Sequence, residues 1–82
     1  MKKKTSILIV DDEKNTREGL ARALQRKHSV YLADNGQTAL NLLDQHHVDI
    51  ILSDIRMPGM DGMTLIRRAL TRTPQPVCIL LT

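Results

Sequence analysis

Two stretches decide the fold of this chain: Ile7-Leu8-Ile9-Val10-Asp11-Asp12 and Ile50-Ile51-Leu52-Ser53-Asp54. Each is a short aliphatic run that ends in acidic residues, and continuous apolar character of this kind indicates a strand buried on both faces. If the two strands are parallel neighbours, Asp11, Asp12 and Asp54 meet at one edge of the sheet. Carboxylates held that close repel one another, so such a cluster is tolerated mainly around a divalent cation.

Strand and helix patterns alternate along the rest of the chain. Apolar runs predict strands over Ser6–Val10, Ser29–Ala33, Asp49–Ser53 and Val77–Leu81. Apolar residues at helical spacing predict helices from about Lys14 to Arg26, from the Asn35-Gly36 turn to about Gln45, and from Met63 to about Arg72. Strand-helix-strand repeated three times predicts an α/β fold, with right-handed crossovers and a parallel sheet covered on both faces. The working site of such a sheet lies at the carboxyl ends of its strands, where Asp11, Asp12, Asp54 and Thr82 fall.

The composition restricts the class of protein. Eighty-two residues allow one domain, and 41% apolar with 26% charged residues is ordinary for a folded globular protein. The net charge of +3 is interpreted as solvated surface charge, and Tyr31, the one aromatic residue, leaves no stacking platform for nucleic acid. Cys78 lies in an apolar run, which predicts a buried core residue. No run reaches the ~20 apolar residues of a membrane span, so a cytoplasmic protein without membrane contact is expected.

Asp54 is the candidate nucleophile of this chain. It ends a strand and precedes a loop with Pro58, Gly59 and Gly62, so it should be exposed and open to in-line attack on an incoming phosphorus. Carboxylates are known nucleophiles in phosphoryl transfer. A Mg²⁺ ion bound by Asp11 or Asp12, by Asp54 and by a loop carbonyl would neutralise the charge of the phosphoryl donor. The hydroxyl of Thr82 could donate to a phosphoryl oxygen at the same edge.

Several of these polar residues also have simpler roles. One of Asp11 and Asp12 could merely cap the helix that follows. Asp61 is expected to cap the third helix, where its charge also suits the helix dipole. The remaining acids are expected to be solvated: Glu13, Asp34, Asp44 and Asp49. The histidines have no carboxylate or cysteine partner at ligand spacing and are expected on the surface: His28, His46 and His47.

The order of these motifs resembles that of a bacterial response-regulator receiver domain. The residues that carry the resemblance are Ile7–Glu13, Ala33–Gly36 with Ala39-Leu40, Asp49–Asp54, Met57-Pro58 with Met60-Asp61-Gly62, and Ile79–Thr82. The resemblance implies a flavodoxin-like, doubly wound sheet of strand order 2-1-3-4. It also implies a two-component signalling switch, not an enzyme with a diffusible substrate. The first helix and the loops are similar to receivers of sigma-54-dependent, NtrC-like transcriptional activators.

The same resemblance implies a role for each residue of the acidic cluster. Asp54 would be the phosphoacceptor for a sensor histidine kinase. Asp11, Asp12 and Asp54 would hold Mg²⁺, with the backbone carbonyl of Arg56 as a further ligand. Thr82 would be the switch hydroxyl that turns toward the phosphoryl group.

The chain departs from the family's pattern after its fourth strand. A receiver domain is expected to have five strands and five helices, and the catalytic lysine on the fifth strand is absent from these residues. Residues 1–82 are therefore expected to be the N-terminal part of one receiver domain. Two explanations are expected for this departure. Either the receiver domain is truncated or partly ordered, or two chains form a homodimer, through the apolar edge strand Val77–Leu81 or by swapping secondary-structure elements. DNA contact is expected only through an output domain outside these residues.

Two other functions remain open. A haloacid-dehalogenase-like phosphatase would also use a strand-end aspartate and Mg²⁺, but it needs an Asp-x-Asp motif. Here Asp11 is followed two residues later by Glu13. A receiver-like module for interaction or dimerisation would keep the fold without being phosphorylated.

Overall fold

β1, Ser6–Val10, is the strand around which the other elements are arranged. All five of its residues are buried, as expected for an apolar strand with helices on both faces. The computed structural model describes residues 4–81, which contain three further strands and three helices. The strands are β2 (Ser29–Ala33), β3 (Ile50–Asp54) and β4 (Val77–Leu81), and the helices are α1 (Lys14–Leu24), α2 (Gly36–Gln45) and α3 (Gly62–Ala69).

The four strands form one parallel sheet in the order β2-β1-β3-β4. This confirms the α/β fold and the strand order expected from the resemblance. The register places Val10 beside both Ala33 of β2 and Ser53 of β3. The residues that follow these positions therefore lie together at the carboxyl edge of the sheet. Thr82, the residue after β4 in the sequence, lies outside the described residues.

Two apolar cores of unequal size lie on the two faces of the sheet. The smaller core contains Ile7, Ile9 and Ala21, against which Leu20 and Leu24 of α1 also pack. The side chains of β1 alternate between the two faces, as the pleat of a strand requires. The larger core lies against α2 and α3, and its ten buried residues are Leu8, Val10, Ala33, Ala39, Leu40, Val48, Ile51, Met57, Leu65 and Ala69.

Two helices end earlier than predicted. α1 ends at Leu24 and not at Arg26, because the Leu24 carbonyl accepts the backbone N–H groups of both Lys27 and His28. This turn brings the chain back to the start of β2. α3 runs from Gly62 to Ala69 and not from Met63 to Arg72, because the residues after Ala69 form a tighter turn. The position of such a helix end depends on its terminal hydrogen bonds, which cannot be predicted from the spacing of apolar residues.

β3 starts and ends one residue later than predicted. The Asp49 side chain accepts a hydrogen bond from the backbone N–H of Ser6, so Asp49 lies before the strand. At the other end, Asp54 pairs with Leu81 of β4 and so belongs to the strand. The candidate nucleophile is therefore held by the sheet itself.

β4 pairs with β3 and lies at the edge of the sheet in residues 4–81. Val77 is 61% exposed and Ile79 is 44% exposed, which leaves apolar side chains at an open strand edge. Cys78 is half-buried against the larger core, whereas the sequence predicted a buried core residue. The prediction was wrong because β4 is an edge strand, and no further strand pairs with its outer edge among the described residues. No helix in this part of the chain has the length and apolarity that crossing a membrane requires.

Candidate functional site

Asp11, Asp12 and Asp54 form a cluster at the carboxyl edge of the sheet. Each offers a carboxylate oxygen, and these three oxygens lie within 4.8 Å of one another. Asp11 is 5% exposed, Asp54 is half-buried and Asp12 is exposed. β1 and β3 are adjacent and parallel, so their carboxyl ends bring residues more than forty positions apart in sequence to one point. The predicted convergence of these acids is observed.

Asp11 is held at three of its atoms. Its backbone N–H donates to the Ala33 carbonyl at 3.1 Å, and its Oδ1 accepts the backbone N–H of Glu13 at 2.9 Å. Its backbone carbonyl accepts a hydrogen bond from Nη1 of Arg17 at 2.9 Å. A nearly buried acid is costly unless its polar atoms have partners, and these contacts provide them. The position of Asp11 is therefore set by β2, by the loop and by α1.

Asp54 is held mainly by its backbone. The hydroxyl of Ser53, which is fully buried, donates to the Asp54 carbonyl at 2.9 Å. The backbone N–H of Arg56 donates to Oδ1 of Asp54 at 3.3 Å, a long hydrogen bond. Arg56 itself is exposed, two residues after Asp54 in the loop. The Asp54 carboxylate is thus placed by the strand end and keeps access to solvent.

Gly62, the first residue of α3, lies directly against the backbone of Asp54. Its N–H donates to the Ile55 carbonyl at 2.9 Å. A Cβ atom built on Gly62 would lie 2.2 Å from the carbonyl oxygen of Asp54, which is far inside contact distance. Only glycine allows α3 to begin this close to the strand end, so the helix start and the site are packed as one unit.

The N-caps of α1 and α3 test two of the predicted capping roles. Glu13, and neither Asp11 nor Asp12, caps α1, so the capping alternative for those two aspartates is wrong. Hydrogen bonds from the Thr16 hydroxyl and then from the backbone N–H groups of Thr16 and Asn15 lower the pKa of Glu13 below its usual value. Asp61 caps α3 as predicted. The Thr64 N–H donates to it at 2.8 Å and lowers its pKa.

The carboxylate cluster suits a hard divalent cation. Carboxylate oxygens are the ligands that Mg²⁺ prefers, and it commonly binds through one or two of them while keeping several waters. Three oxygens within 4.8 Å, on an edge that solvent reaches through Asp12 and Asp54, meet that requirement. The donor set contains no sulfur or imidazole, which argues against zinc or copper. The residues present therefore fit Mg²⁺.

A second polar cluster, at the opposite edge of the sheet, was not predicted. Oδ2 of Asp49 accepts the Ser6 N–H at 2.8 Å, and Oδ1 lies 2.8 Å from Nε2 of His47. The Ser6 hydroxyl donates to the His47 carbonyl at 2.8 Å. These contacts tie the start of β1 to the loop before β3. His47 is exposed, in agreement with the sequence, but Asp49 has partners and is not simply solvated.

The other two histidines differ from each other. His46 is exposed and stacks on Tyr31, with ring centroids 4.4 Å apart. His28 is half-buried, whereas the sequence predicted a surface position. The difference follows from the turn after α1, which directs His28 toward the start of β2.

Comparison with known proteins identifies the family of this chain. The sequence profile described as "Response regulator receiver domain" matches residues 7–82. The chain belongs to this family. The positive alginate biosynthesis regulatory protein of Pseudomonas aeruginosa is 42% identical over 81 residues, which cover 94% of this chain and 33% of that protein. The regulatory protein AtoC of Escherichia coli is 46% identical over 72 residues, covering 83% of this chain and 16% of that protein.

The same family appears among solved structures. The response regulator TrrA of Thermotoga maritima, solved in complex with Mg²⁺-BeF, matches with a TM-score of 0.87 and 35% identity, over 95% of this chain and 69% of that one. The chain is thus a receiver domain of the two-component response regulators, which act as signalling switches. This family membership argues against the haloacid-dehalogenase-like phosphatase. It spans a third or less of the length of the two curated relatives.

Proposed function

We propose that this receiver domain accepts a phosphoryl group on Asp54 in a reaction that depends on Mg²⁺. The observation that carries the proposal is the convergence of Asp11, Asp12 and Asp54, with carboxylate oxygens within 4.8 Å of one another. These three residues, with the backbone carbonyl of Arg56, would hold the ion. Bound there, Mg²⁺ would supply positive charge that offsets the repulsion of an anionic phosphoryl donor by the anionic nucleophile.

The chain itself supplies a positioned nucleophile. During transfer, a carboxylate oxygen of Asp54 forms a bond to phosphorus while the bond from phosphorus to the leaving group breaks, and the leaving group keeps the electron pair. With a sensor histidine kinase as donor, the bond that breaks is the P–N bond of a phosphohistidine. The product is an acyl phosphate that adds charge and acceptor oxygens at the strand end. The Ser53 and Gly62 contacts hold the Asp54 backbone still throughout.

The remaining parts of the proposal follow from family membership and resemblance. The partner is a sensor histidine kinase, the location is the cytoplasm, and the domain acts as a switch without turning over a diffusible substrate. Thr82 is proposed as the hydroxyl that turns toward the phosphoryl group. The transcriptional subtype, an NtrC-like activator whose output domain contacts DNA, rests on the similarity of the first helix and the loops.

The direct test uses acetyl phosphate as the donor. The intact mass of the chain should rise by one phosphoryl group in the presence of Mg²⁺, and the adduct should be lost on treatment with hydroxylamine. EDTA and Asp54→Asn should each abolish the adduct, whereas Asp34→Asn should retain it, because Asp34 is an exposed acid at the end of β2 outside the cluster.

Two results would contradict the proposal. An adduct that persists in Asp54→Asn would place the phosphoryl group elsewhere. A folded wild-type chain that never acquires the adduct would favour the alternative of a receiver-like interaction module that is not phosphorylated. Circular dichroism on the same samples establishes that each variant is folded.

We also propose that this chain self-associates through β4. The strand contains no charged residue and no proline, two devices that usually protect an edge, and Val77 and Ile79 are exposed on it. Sedimentation should show a dimer that grows with concentration in the wild type and is lost in Ile79→Lys. A wild-type chain that stays monomeric at high concentration would contradict this proposal.

A further inference from the structure

The loop between β1 and α1 is fixed by the side chain of Arg17 as well as by backbone hydrogen bonds. Arg17 lies at the end of the first turn of α1 and is half-buried. Its guanidinium reaches back toward the strand, and Nη1 donates to the Asp11 carbonyl at 2.9 Å. We infer that Arg17 is a positioning residue that fixes Asp11 and Asp12 for cation binding. This inference rests on the proposed function of the acidic cluster.

The other contacts of the loop show what Arg17 adds. The N–H of Asp11 is held by Ala33, and its Oδ1 is held by the N–H of Glu13. The carbonyl that Arg17 holds belongs to the peptide unit that joins Asp11 to Asp12. Rotation of this peptide would move one carboxylate relative to the other and both relative to Asp54. Arg17 therefore fixes the geometry between two of the three acids in the cluster.

Arginine brings two opposing effects to such a site. Its charge, which is never lost at ordinary pH, disfavours a second cation nearby, but solvent and salt screen this repulsion at an exposed edge. Its fixed donor geometry favours cation binding, because the ligands are already in place. Contacts that orient metal ligands typically change metal affinity by about 10–100-fold. We expect the second effect to dominate.

Three variants separate these effects. Arg17→Met removes the donor and the charge, while Arg17→Lys keeps the charge and one donor group. Arg22→Met is the matched control, because Arg22 is an exposed arginine on the same helix. In calorimetric titration with Mg²⁺, the Kd of Arg17→Met should be roughly tenfold higher than that of the wild type. The Kd of Arg17→Lys should be close to the wild-type value, and the Kd of Arg22→Met should equal it. A Kd for Arg17→Met equal to or below the wild-type value would overturn the inference.

Hydrogen exchange without metal tests the same residue independently of the proposed function. In EDTA, Arg17→Met should speed exchange of the hydrogen-bonded backbone N–H groups of Asp11 and Glu13 and leave those of β1 protected. Unchanged exchange at these two positions would overturn the inference whatever the Mg²⁺ result. If the wild-type chain fails to bind Mg²⁺, the proposed function fails, and faster exchange in Arg17→Met would still assign the positioning of this loop to Arg17.

Discussion

Replacing Gly62 with alanine tests how closely α3 packs against the candidate phosphoacceptor. The new Cβ would lie 2.2 Å from the Asp54 carbonyl oxygen and 3.0 Å from both the Asp54 carbonyl carbon and the Ile55 Cα. Ordinary contacts between such atoms are about 3.3 Å or longer, so the helix and the strand end must separate by about 1 Å. Overpacking of this kind typically costs about 1–3 kcal/mol, a large part of the roughly 5 kcal/mol that stabilises a small domain.

Gly19→Ala provides the matched control, since it makes the same chemical change elsewhere. Gly19 lies inside α1, and nothing approaches within 4 Å of a Cβ built there. Alanine in a helix interior is favoured over glycine by about 0.5–1 kcal/mol. The two variants should therefore move the free energy of unfolding in opposite directions, with a difference of about 1.5–4 kcal/mol between them.

The assay is urea unfolding followed by far-ultraviolet circular dichroism, because the chain contains no tryptophan. A second readout is the rate of phosphorylation by acetyl phosphate under conditions in which both variants are folded. Gly62→Ala should react more slowly, because Asp54 is displaced with its backbone, and Gly19→Ala should react at the wild-type rate. If Gly62→Ala is as stable as the wild type while Gly19→Ala is stabilised, the close contact between α3 and Asp54 does not exist and the reasoning fails.

Three further predictions concern the core, the amino edge of the sheet and its open edge. Leu8→Ala should lower the free energy of unfolding by about 2–5 kcal/mol because Leu8 has no exposed surface, and a loss near zero in urea unfolding would contradict its place in the core. Hydrogen bonds from Ser6, then His47, hold the pKa of Asp49 below its usual 3.8, so its ionised form stabilises the fold above that pH and this contribution is lost as the pH falls through the lowered pKa. The thermal midpoint of Asp49→Asn should therefore lie below that of the wild type at neutral pH and approach it below pH 3.8; a difference independent of pH would refute this account. Burial raises the pKa of the Cys78 thiol, so Cys78 should react with iodoacetamide more slowly than glutathione does, and equal rates would contradict the half-buried position.

Much of the fold could be predicted because parallel strands buried on both faces leave a continuous apolar pattern. β1, β2 and β4 begin and end where the sequence predicted. The convergence of the three aspartates followed from the same argument, since parallel neighbours end at one edge. The predicted bounds of β3 were one residue too early, because the strand extends to Asp54 through the pairing of that residue with Leu81 on β4. A pattern that is read locally cannot report such a partner.

Side-chain hydrogen bonds were the part that the sequence could not predict. Asp11, Asp12 and Glu13 are three successive acids, and only the backbone angles of the loop decide that Glu13 is the cap. The Arg17 contact depends on the direction of one side chain from the first turn of α1. The Ser6–Asp49 contact joins residues 43 positions apart, and neither residue has a pattern that marks it.

The parallel topology also gives the chain an uneven distribution of charge. All three helices begin at the carboxyl edge. The acidic caps of α1 and α3 add to the acids at the strand ends, so this edge holds six of the nine acidic residues. Those six are Asp11, Asp12, Glu13, Asp34, Asp54 and Asp61. A chain of net charge +3 thus presents a negative edge to an approaching partner. Electrostatic steering depends on the local field, so a basic partner surface should be oriented toward this edge, and its association rate should fall as salt shortens the Debye length below about 8 Å.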